Sequence, residues 1–322
     1  MTRYVARRLA FGLFLVIAVS SASLVLARLA PGDFVTGSLG TTVSRQALEQ
    51  QRARYGLDKS IGEQYRDWLA AAVRLDFGYS MQYDRPVRDL IPERAANTAV
   101  LAITSLVFAT LIGLPLGIVT GSRRGGVLPG TIRAASVVLL SMPPLLTSLF
   151  LVFVAARTGW LPISGMRSAT VPAGGALIDV IRHLVVPAAA IGMPLAAMLE
   201  RLQAQAMSEV IGEPFVLATL ARGVPRSRIV WRGALKAALR PIAAVYGLLI
   251  GTLLSGSFAV EVITAWPGLG SLMLQALRTR DIYLVAGCAG AGALFLACGT
   301  LISDLALAVV DPRASERRAE QA

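Results

Sequence analysis

The sequence is poor in the residues from which metal sites and disulfide frameworks are built. Its 322 residues include two cysteines and one histidine. Cys288 and Cys298 are ten residues apart in one apolar run, which on a helix separates them by about 15 Å, too far for a disulfide. The lone histidine, His183, lies at the start of another apolar run, where a packing role is favoured because a metal site needs several ligands. The sequence therefore predicts no metal site.

Catalytic motifs are also missing from the sequence. A phosphate-binding loop of the form Gly-x-x-x-x-Gly-Lys-Ser/Thr does not occur. A Ser/His/Asp set cannot be built convincingly from the single His183 at the edge of an apolar run. We therefore expect neither catalytic residues nor a cofactor bound by this chain itself.

Charged residues are scarce and unevenly placed. They make up 16% of the chain, against about 25% in soluble domains, and 55% of the residues are hydrophobic. The charges are concentrated between long apolar runs, which is typical of a protein that crosses a membrane several times. A net charge of +12 is compatible with nucleic-acid binding. The Arg and Lys residues cluster at the ends of apolar runs, however, so we assign them to membrane topology and predict no nucleic-acid partner.

The apolar runs predict an all-α polytopic membrane protein with six spans and with both termini in the cytoplasm. A secretory signal is the alternative for the first run, but its length and the absence of a clear cleavage site favour an uncleaved span. Basic residues on the short inside segments support this orientation. The predicted spans are Leu9–Ala30, Ala95–Gly121, Thr131–Ala156, His183–Arg201, Ile242–Val260 and Asp281–Val310. The predicted regions are 1–30, an extracytoplasmic lobe at 31–94, a transmembrane core at 95–310, and a cytoplasmic tail at 311–322.

The extracytoplasmic segment 31–94 has closely mixed positive and negative charges. Two amphipathic helices are predicted in it, Ser44–Tyr55 and Glu63–Leu75, and the second places Tyr65 and Trp68 on one face together with Leu69 and Ala72. A solvated loop is the alternative, but the aromatic face favours a small packed lobe. Asp76–Ser80 and Arg85–Val87 are expected to form turns.

The third predicted span contains Ser141, Pro143 and Pro144. Adjacent prolines remove backbone donors and break a helix. Broken helices at membrane depth are buried in protein or line a cavity, so we favour a bend that lines a translocation path over a simple kink. In the last span, Asp304 lies near the cytoplasmic end, and a functional role and a capping or packing role are both open for it.

The segment from 213 to 240, named here the basic elbow, has no acidic residue after Glu213. Gly223 can adopt the left-handed angles that end a helix, and Pro225 prevents simple continuation, so two helical pieces are expected to meet there. An ordinary basic loop that fixes topology is one interpretation. A shaped helix pair that docks a partner is the other. The candidate docking residues are Phe215, Ala218, Ala221, Arg222, Gly223, Val224, Arg226, Arg228 and Pro241.

Several short stretches occur along the chain in a specific order and spacing. They are Pro31-Gly-Asp, Arg54-Tyr-Gly-Leu-Asp, Leu75-Asp-Phe-Gly-Tyr-Ser, Gly159-Trp-Leu-Pro, Ala221-Arg-Gly-Val, Ala265-Trp-Pro-Gly-Leu-Gly270, Arg280-Asp281 and Asp311-Pro-Arg. Taken together, they resemble the inner-membrane permease subunit of binding-protein-dependent ABC importers, in the branch that handles dipeptides, oligopeptides, glutathione and nickel. The resemblance covers nearly the whole chain. It departs from the family pattern at Phe215, where the family usually has Tyr, at Ala218–Leu220 and at Ala237.

This resemblance implies a bacterial inner-membrane location, a second homologous permease subunit as partner in a heterodimer, two ATPase subunits that carry ATP and Mg, and an extracytoplasmic solute-binding protein. It implies that the basic elbow couples to the ATPases. It also suggests a face for the binding protein at Trp266, Pro267, Gly268, Arg280 and Asp281. A secondary transporter or channel driven by an ion gradient is the competing class, but it would predict paired intramembrane charges or inverted repeats. A membrane enzyme is disfavoured because catalytic groups do not cluster.

Overall fold

The computed structural model describes residues 2–32, 34–35, 49–50, 52–53, 55–123, 125–168 and 175–310. The predicted helix Ser44–Tyr55 falls largely outside these residues, and the tail 311–322 falls entirely outside them. The chain divides into two compact units. The core unit comprises Val100–Trp266 and the segment from Gly299 onward, and the lobe unit comprises Thr2–Ala99 and Pro267–Cys298.

Helices dominate the described residues, as the apolar runs predicted. Between the helices lies one antiparallel pair of two-residue strands, with Tyr79 opposite Pro86 and Ser80 opposite Arg85. In chain order the elements are α1 Thr2–Leu29, α2 Ile61–Ala72, β1 Tyr79–Ser80, β2 Arg85–Pro86, α3 Val87–Ser122, α4 Val127–Ser141, α5 Pro144–Thr158, α6 Ala176–Ile211, α7 Pro214–Ala221, α8 Arg226–Arg228, a π-helical segment Ile229–Ala234, α9 Leu235–Ile263, α10 Leu269–Thr279 and α11 Ile282–Val310.

The lengths and the apolar character of the helices confirm the prediction of a polytopic membrane protein. Four stretches are long and apolar enough to cross a membrane. The helix pair α4 and α5 qualifies as a fifth span, bent by 107° at the break between them. The predicted fifth span, Ile242–Val260, lies inside the 29-residue helix α9. The four stretches are Arg3–Leu29, Val87–Ser122, Ala176–Ile211 and Ile282–Ile302.

Several helices, including α3 and α6, are longer than their predicted spans. Helix α3 begins at Val87 rather than at Ala95. Helix α6 begins at Ala176, seven residues before the predicted start at His183, so the external loop is shorter than expected. A tertiary contact explains the second difference, because the Asp179 carboxylate in the first turn accepts hydrogen bonds from the Ser168 N–H at 2.6 Å and the Ser168 hydroxyl at 2.9 Å.

The core unit is packed around α6, which runs for 36 residues through two internal prolines, Pro187 and Pro194. Proline is tolerated in membrane helices because neighbouring helices and side chains satisfy the freed backbone groups. His183 is buried on this helix, with Nδ1 2.8 Å from the Asp179 carbonyl oxygen, which agrees with the predicted packing role. The main apolar cluster of the unit includes Leu101, Leu199, Leu249, Leu253 and Trp266.

The lobe unit contains the predicted aromatic face. Helix α2 starts with a capping box, in which the Ser60 hydroxyl accepts from the Glu63 N–H and the Glu63 carboxylate accepts from the Ser60 N–H. Trp68 is buried beside Leu24 of α1, and its indole N–H donates to the Phe77 carbonyl oxygen at 3.2 Å. The partly buried side chains that join this cluster include Tyr65, Leu69 and Ala72, the face that the sequence pattern indicated. The described part of this segment around α2 therefore packs against α1.

Candidate functional site: the basic elbow

The first half of the basic elbow is the eight-residue helix α7. Glu213 has extended angles, and Pro214 occupies the first helical position, where its missing N–H costs nothing. Val216 points inward and is 2% exposed, whereas Phe215 is 48% exposed and Leu217 and Leu220 are also exposed. Ala218, Ala221 and Arg222 are exposed as well. A short helix that presents apolar side chains beside basic ones has the composition of a docking surface.

The turn of the elbow depends on Gly223. Its φ is +79°, in the left-handed region, and its N–H donates to the Leu220 carbonyl oxygen at 2.9 Å to close the helix end. A Cβ atom at this position would meet nothing within 4 Å, so the requirement for glycine comes from the backbone angle alone. Val224 is half-buried and Pro225 is exposed, and the chain turns here into its second helical half.

The second half differs from the expectation of a separate helix that precedes the fifth span. Helix α8, the π-helical segment and α9 follow one another without a break, so the helical path from Arg226 passes directly into the predicted span. Pro241 lies inside α9 rather than at a boundary. Six residues, Ile229–Ala234, form the π-helical segment, and such segments are frequent at functional sites.

Apolar side chains connect the elbow to the spans of the core unit. Val230, Ala234 and Ala238 follow one another at intervals of four residues and are buried. They form one cluster with Met207 near the end of α6 and with Ile118 of α3. Since close-packed interiors transmit displacement, a force on the elbow would reach both helices.

Basic side chains cover the outer surface of the elbow. Arg228 and Lys236 are exposed, as are Arg222 and Arg232, and Trp231 is 56% exposed beside them. The side chains of Arg226 and Arg240 lie outside the described part of the chain. The sequence analysis singled out most of these residues, but it missed Trp231, whose position in a basic, water-exposed segment was the available signal.

The predicted break in the third span is confirmed. Met142 has extended angles, φ −96° and ψ 114°, and ends α4, while Pro144 starts α5 at its first helical position. Ser141 and Pro143 are exposed, and Pro144 is half-buried. The structure shows the bend, and a path-lining role for these residues stays a prediction.

The segment that follows α9 buries its most distinctive side chains. Trp266 has 0% exposed surface within the core unit. In the lobe unit, the Pro267 carbonyl oxygen accepts from the Asn97 side chain at 2.9 Å, and Gly268 is buried as the N-cap of α10. Arg280, with a φ of +58°, ends α10 and is half-buried.

Asp281 is fully buried in the lobe unit. Its carboxylate accepts hydrogen bonds from the Ser80 hydroxyl at 2.6 Å, the Gln82 N–H at 3.1 Å and the Leu284 N–H at 3.2 Å. Burial raises the pKa of this carboxyl above its ordinary value, although the hydrogen bonds from Ser80 and from backbone N–H groups act in the opposite direction. Asp281 thus fastens the β1–β2 turn to the start of α11.

A second polar cluster, which the sequence analysis missed, lies inside the core unit. Glu200 and Gln203 of α6 are buried, and the Thr120 hydroxyl of α3 donates to Glu200 Oε1 at 2.5 Å. An acidic residue at the end of an apolar run was the signal for it. Asp304, which the sequence did single out, lies half-buried in α11. Within the described ranges, no group of three His, Cys, Asp or Glu residues could hold a metal ion.

Comparison with known proteins places this architecture. Residues 113–316 match the family described as binding-protein-dependent transport system inner membrane component, and residues 1–102 match its N-terminal domain. Three similar proteins illustrate the family. They are the oligopeptide transport system permease protein AppB of Bacillus subtilis, 30% identical over 97% of this chain and 99% of that protein; the dipeptide transport system permease protein DppB of Escherichia coli K12, 29% identical over 99% and 100%; and the glutathione transport system permease protein GsiC of Shigella flexneri, 30% identical over 87% and 88%.

The fold has a counterpart among solved structures. An inward-facing structure of the MetNI methionine ABC transporter matches with a TM-score of 0.53 and 19% identity, and the match covers 69% of this chain and 96% of that one. At this identity the likeness concerns the fold alone. Together with the family match over the elbow and the spans, it identifies the class of protein to which the sequence pattern pointed. The chain belongs to the family of binding-protein-dependent transport system inner membrane components and is a multi-pass permease subunit of an ABC importer.

Proposed function

We propose that this chain forms half of the translocation path for peptides or a related small solute. The relatives named for oligopeptide, dipeptide and glutathione transport support this substrate class. The chain pairs with a second homologous permease subunit, and a solute-binding protein delivers the solute from outside the membrane. The bend at Ser141–Pro144 contributes to the path, because backbone without a regular helix is tolerated at membrane depth where it faces protein or a cavity.

The basic elbow is the proposed contact for the ATPases. The observation that carries this assignment is that one short segment exposes Phe215, Leu217 and Trp231 to a partner and packs Val230 against α6 and α3 on its other side. ATP and Mg bind to the two partner ATPases, and the elbow transmits their closure to the spans. Such coupling requires an element with two arrangements. The arginines of the elbow support a cytoplasmic position for it, with both chain termini on the same side.

The proposed face for the binding protein lies on the lobe unit, around α10. Trp266 is buried in the core unit and Asp281 in the lobe unit, so neither side chain is available to a partner. Pro267 and Arg280 are partly exposed, and Leu277 and Arg278 of α10 are exposed. These residues form the surface available to a docking protein.

Gly223 provides the test of the coupling role. In Gly223→Val a β-branched residue must adopt a φ near +79°, which distorts the turn. We expect the variant to insert into membranes normally and to lose at least about tenfold of ATP-driven solute uptake when it is reconstituted with its permease, ATPase and binding-protein partners. Gly212→Ala is the matched control, because Gly212 is an exposed residue before α7 with an ordinary φ of −79°. Normal uptake by Gly223→Val would exclude the elbow as the coupling element.

A further inference from the structure

Helices α3 and α6 pack backbone to backbone along a seam of glycines. Gly113, Gly117 and Gly121 are four residues apart on α3. A Cβ atom at these three positions would lie 2.5, 2.6 and 2.4 Å from a backbone carbonyl oxygen of α6. The three carbonyls belong to Ala196, Glu200 and Ala204. Small residues let helix backbones approach this closely, so this seam is where any change in the packing of α6 against α3 would occur.

Two polar side chains of α6 are enclosed at this seam. Glu200 is 1% exposed and Gln203 is 0% exposed. Glu200 Oε1 accepts the Thr120 hydroxyl, and the Thr120 carbonyl oxygen in turn accepts from Arg133 of α4 at 2.7 Å. Within the described part of the chain, Glu200 Oε2 and both polar atoms of the Gln203 amide have no hydrogen-bond partner. The seam therefore contains three buried polar atoms whose bonding capacity is unmet.

Such atoms are rare in a packed interior, because a buried polar group without a partner forfeits the hydrogen bonds it had with water. Gln203 lies about one helical turn, and Glu200 about two, from the place where the elbow meets α6. Gln203 precedes Met207 by four residues, and Met207 packs in the cluster that contains Val230 of the elbow. A displacement of the elbow therefore acts on the same stretch of α6 that holds the unmatched groups.

We infer that Glu200 and Gln203 are positioning residues of the transport cycle, which gain hydrogen-bond partners when α6 shifts along the glycine seam of α3. This inference rests on the proposed coupling role of the elbow. In the arrangement described here, Glu200 Oε2 and the Gln203 amide lack hydrogen-bond partners. The hydrogen bonds that these atoms form after the shift favour the alternative arrangement. A polar pair of this kind biases an equilibrium between two packings without contacting either the solute or ATP.

The primary test replaces Gln203 by Met, which keeps the side-chain length and removes both unmatched amide atoms. We expect the thermal midpoint of the purified subunit to rise by about 3 °C, because the arrangement seen here no longer holds unsatisfied groups. We also expect the number of solute molecules imported per ATP hydrolysed to fall at least about fivefold, because only one of the two arrangements has been stabilised. Gln205→Met is the control, since Gln205 is exposed and bonds the neighbouring Glu209 at 3.1 Å.

A second pair of variants addresses the hydroxyl that holds Glu200. Thr120→Val removes the hydroxyl that donates to Glu200 Oε1, and we expect it to lower the transport-to-ATP ratio. Thr120→Ser keeps the hydroxyl and should restore the ratio. A role in folding alone would change the yield of assembled complex and leave the ratio per complex unaltered.

Two results would overturn the inference. A lower thermal midpoint in Gln203→Met would show that the amide is already satisfied, for example by a buried water. An unchanged transport-to-ATP ratio in both Gln203→Met and Thr120→Val would exclude a role in the cycle. The proposed function fails in a different way, because it is refuted if the wild-type complex shows no ATP-driven uptake, and in that case the thermal midpoints still decide whether the seam holds unsatisfied groups.

Discussion

The basic elbow exposes its characteristic side chains, whereas the segment from Trp266 to Asp281 buries two of its own. Both segments resembled family signatures in the sequence, and both were assigned to partner contacts. In the structure Phe215 and Trp231 face outward from the elbow, while Trp266 and Asp281 are fully enclosed. A sequence signature can therefore mark a surface that meets another protein or an internal joint that keeps such a surface in shape. Mutagenesis separates the two cases. A substitution in an internal joint lowers the stability of the subunit, whereas a substitution in a contact surface weakens its assembly with a partner.

Trp266→Ala should have the largest effect on stability. Removing a fully buried indole leaves a cavity, and we expect a loss of about 3–5 kcal/mol in the free energy of unfolding of the purified subunit. Trp231→Ala is the matched control from the elbow, since its indole is 56% exposed, and its effect should stay within about 0.5 kcal/mol. Thermal or denaturant unfolding checks both. Equal stability losses in the two variants would contradict the distinction between joint and surface.

Asp281→Asn should destabilise the lobe unit by about 2 kcal/mol. The three groups around the carboxylate are all donors, from Ser80, Gln82 and Leu284, so an amide NH₂ would face at least one of them. Asp67→Asn is the control, because Asp67 forms an exposed ion pair with Lys59 at 2.8 Å and contributes far less. Hydrogen exchange at the Gln82 and Leu284 amides measures the local loss. Unchanged protection of both amides would show that Asp281 does not fasten the turn.

Phe215→Ser should weaken the association with the ATPase subunits about tenfold, which corresponds to about 1.4 kcal/mol, and leave the thermal midpoint of the subunit unchanged. The neighbouring residue supplies the control. Val216 is 2% exposed, so Val216→Ser should lower the thermal midpoint. Co-purification and titration with the ATPases measure the first effect. If Phe215→Ser still bound the ATPases tightly, or if it lowered the thermal midpoint of the subunit, the elbow would not be a contact surface for the ATPases.

The smallest expected effect concerns pH. The pKa of Asp281 is raised above its ordinary value of 3.8 by burial, so the folded lobe binds this proton more tightly than the unfolded chain does. Its contribution to stability is present at low pH and is lost as pH rises through the raised pKa. The contribution of Glu63 to stability depends on pH in the opposite direction, because the hydrogen bonds from Ser60 lower the pKa of its carboxyl. The difference in the free energy of unfolding between the wild type and Asp281→Asn, measured between pH 7 and pH 4, should isolate the contribution of Asp281. We expect this difference to grow as the pH falls, and a difference that shrinks as the pH falls would contradict the prediction.

Much of the fold follows from local sequence. The apolar runs located the spans, because a helix must satisfy its own backbone in lipid and needs about 20 apolar residues to cross. Pro143 and Pro144 predicted the break in the third span for a local reason, the loss of backbone donors. Gly223 predicted the turn of the elbow, since its left-handed angle is a property of one residue. The helix bounds were less accurate where distant groups intervened, as at Ser168 and Asp179.

The candidate site was predicted in part. The elbow was found because charge, helix-breaking residues and position between spans are all visible along the chain. The continuity of the elbow into α9 was not predicted, because Pro241 suggested a boundary and the π-helical segment that links α8 to α9 has no clear sequence pattern. Glu200 and Gln203 were missed because their significance depends on the glycines of another helix.

The sequence by itself determined where the apolar segments lie, the place of the bend and the presence of a basic, hinged element. These are consequences of residue chemistry over one to twenty positions. Only the tertiary structure decided which side chains are enclosed. Asp281 meets Ser80 across 201 residues of chain, and Thr120 meets Glu200 across 80. Burial is a property of two distant segments brought together, so a pattern read along one segment cannot separate a contact surface from a joint.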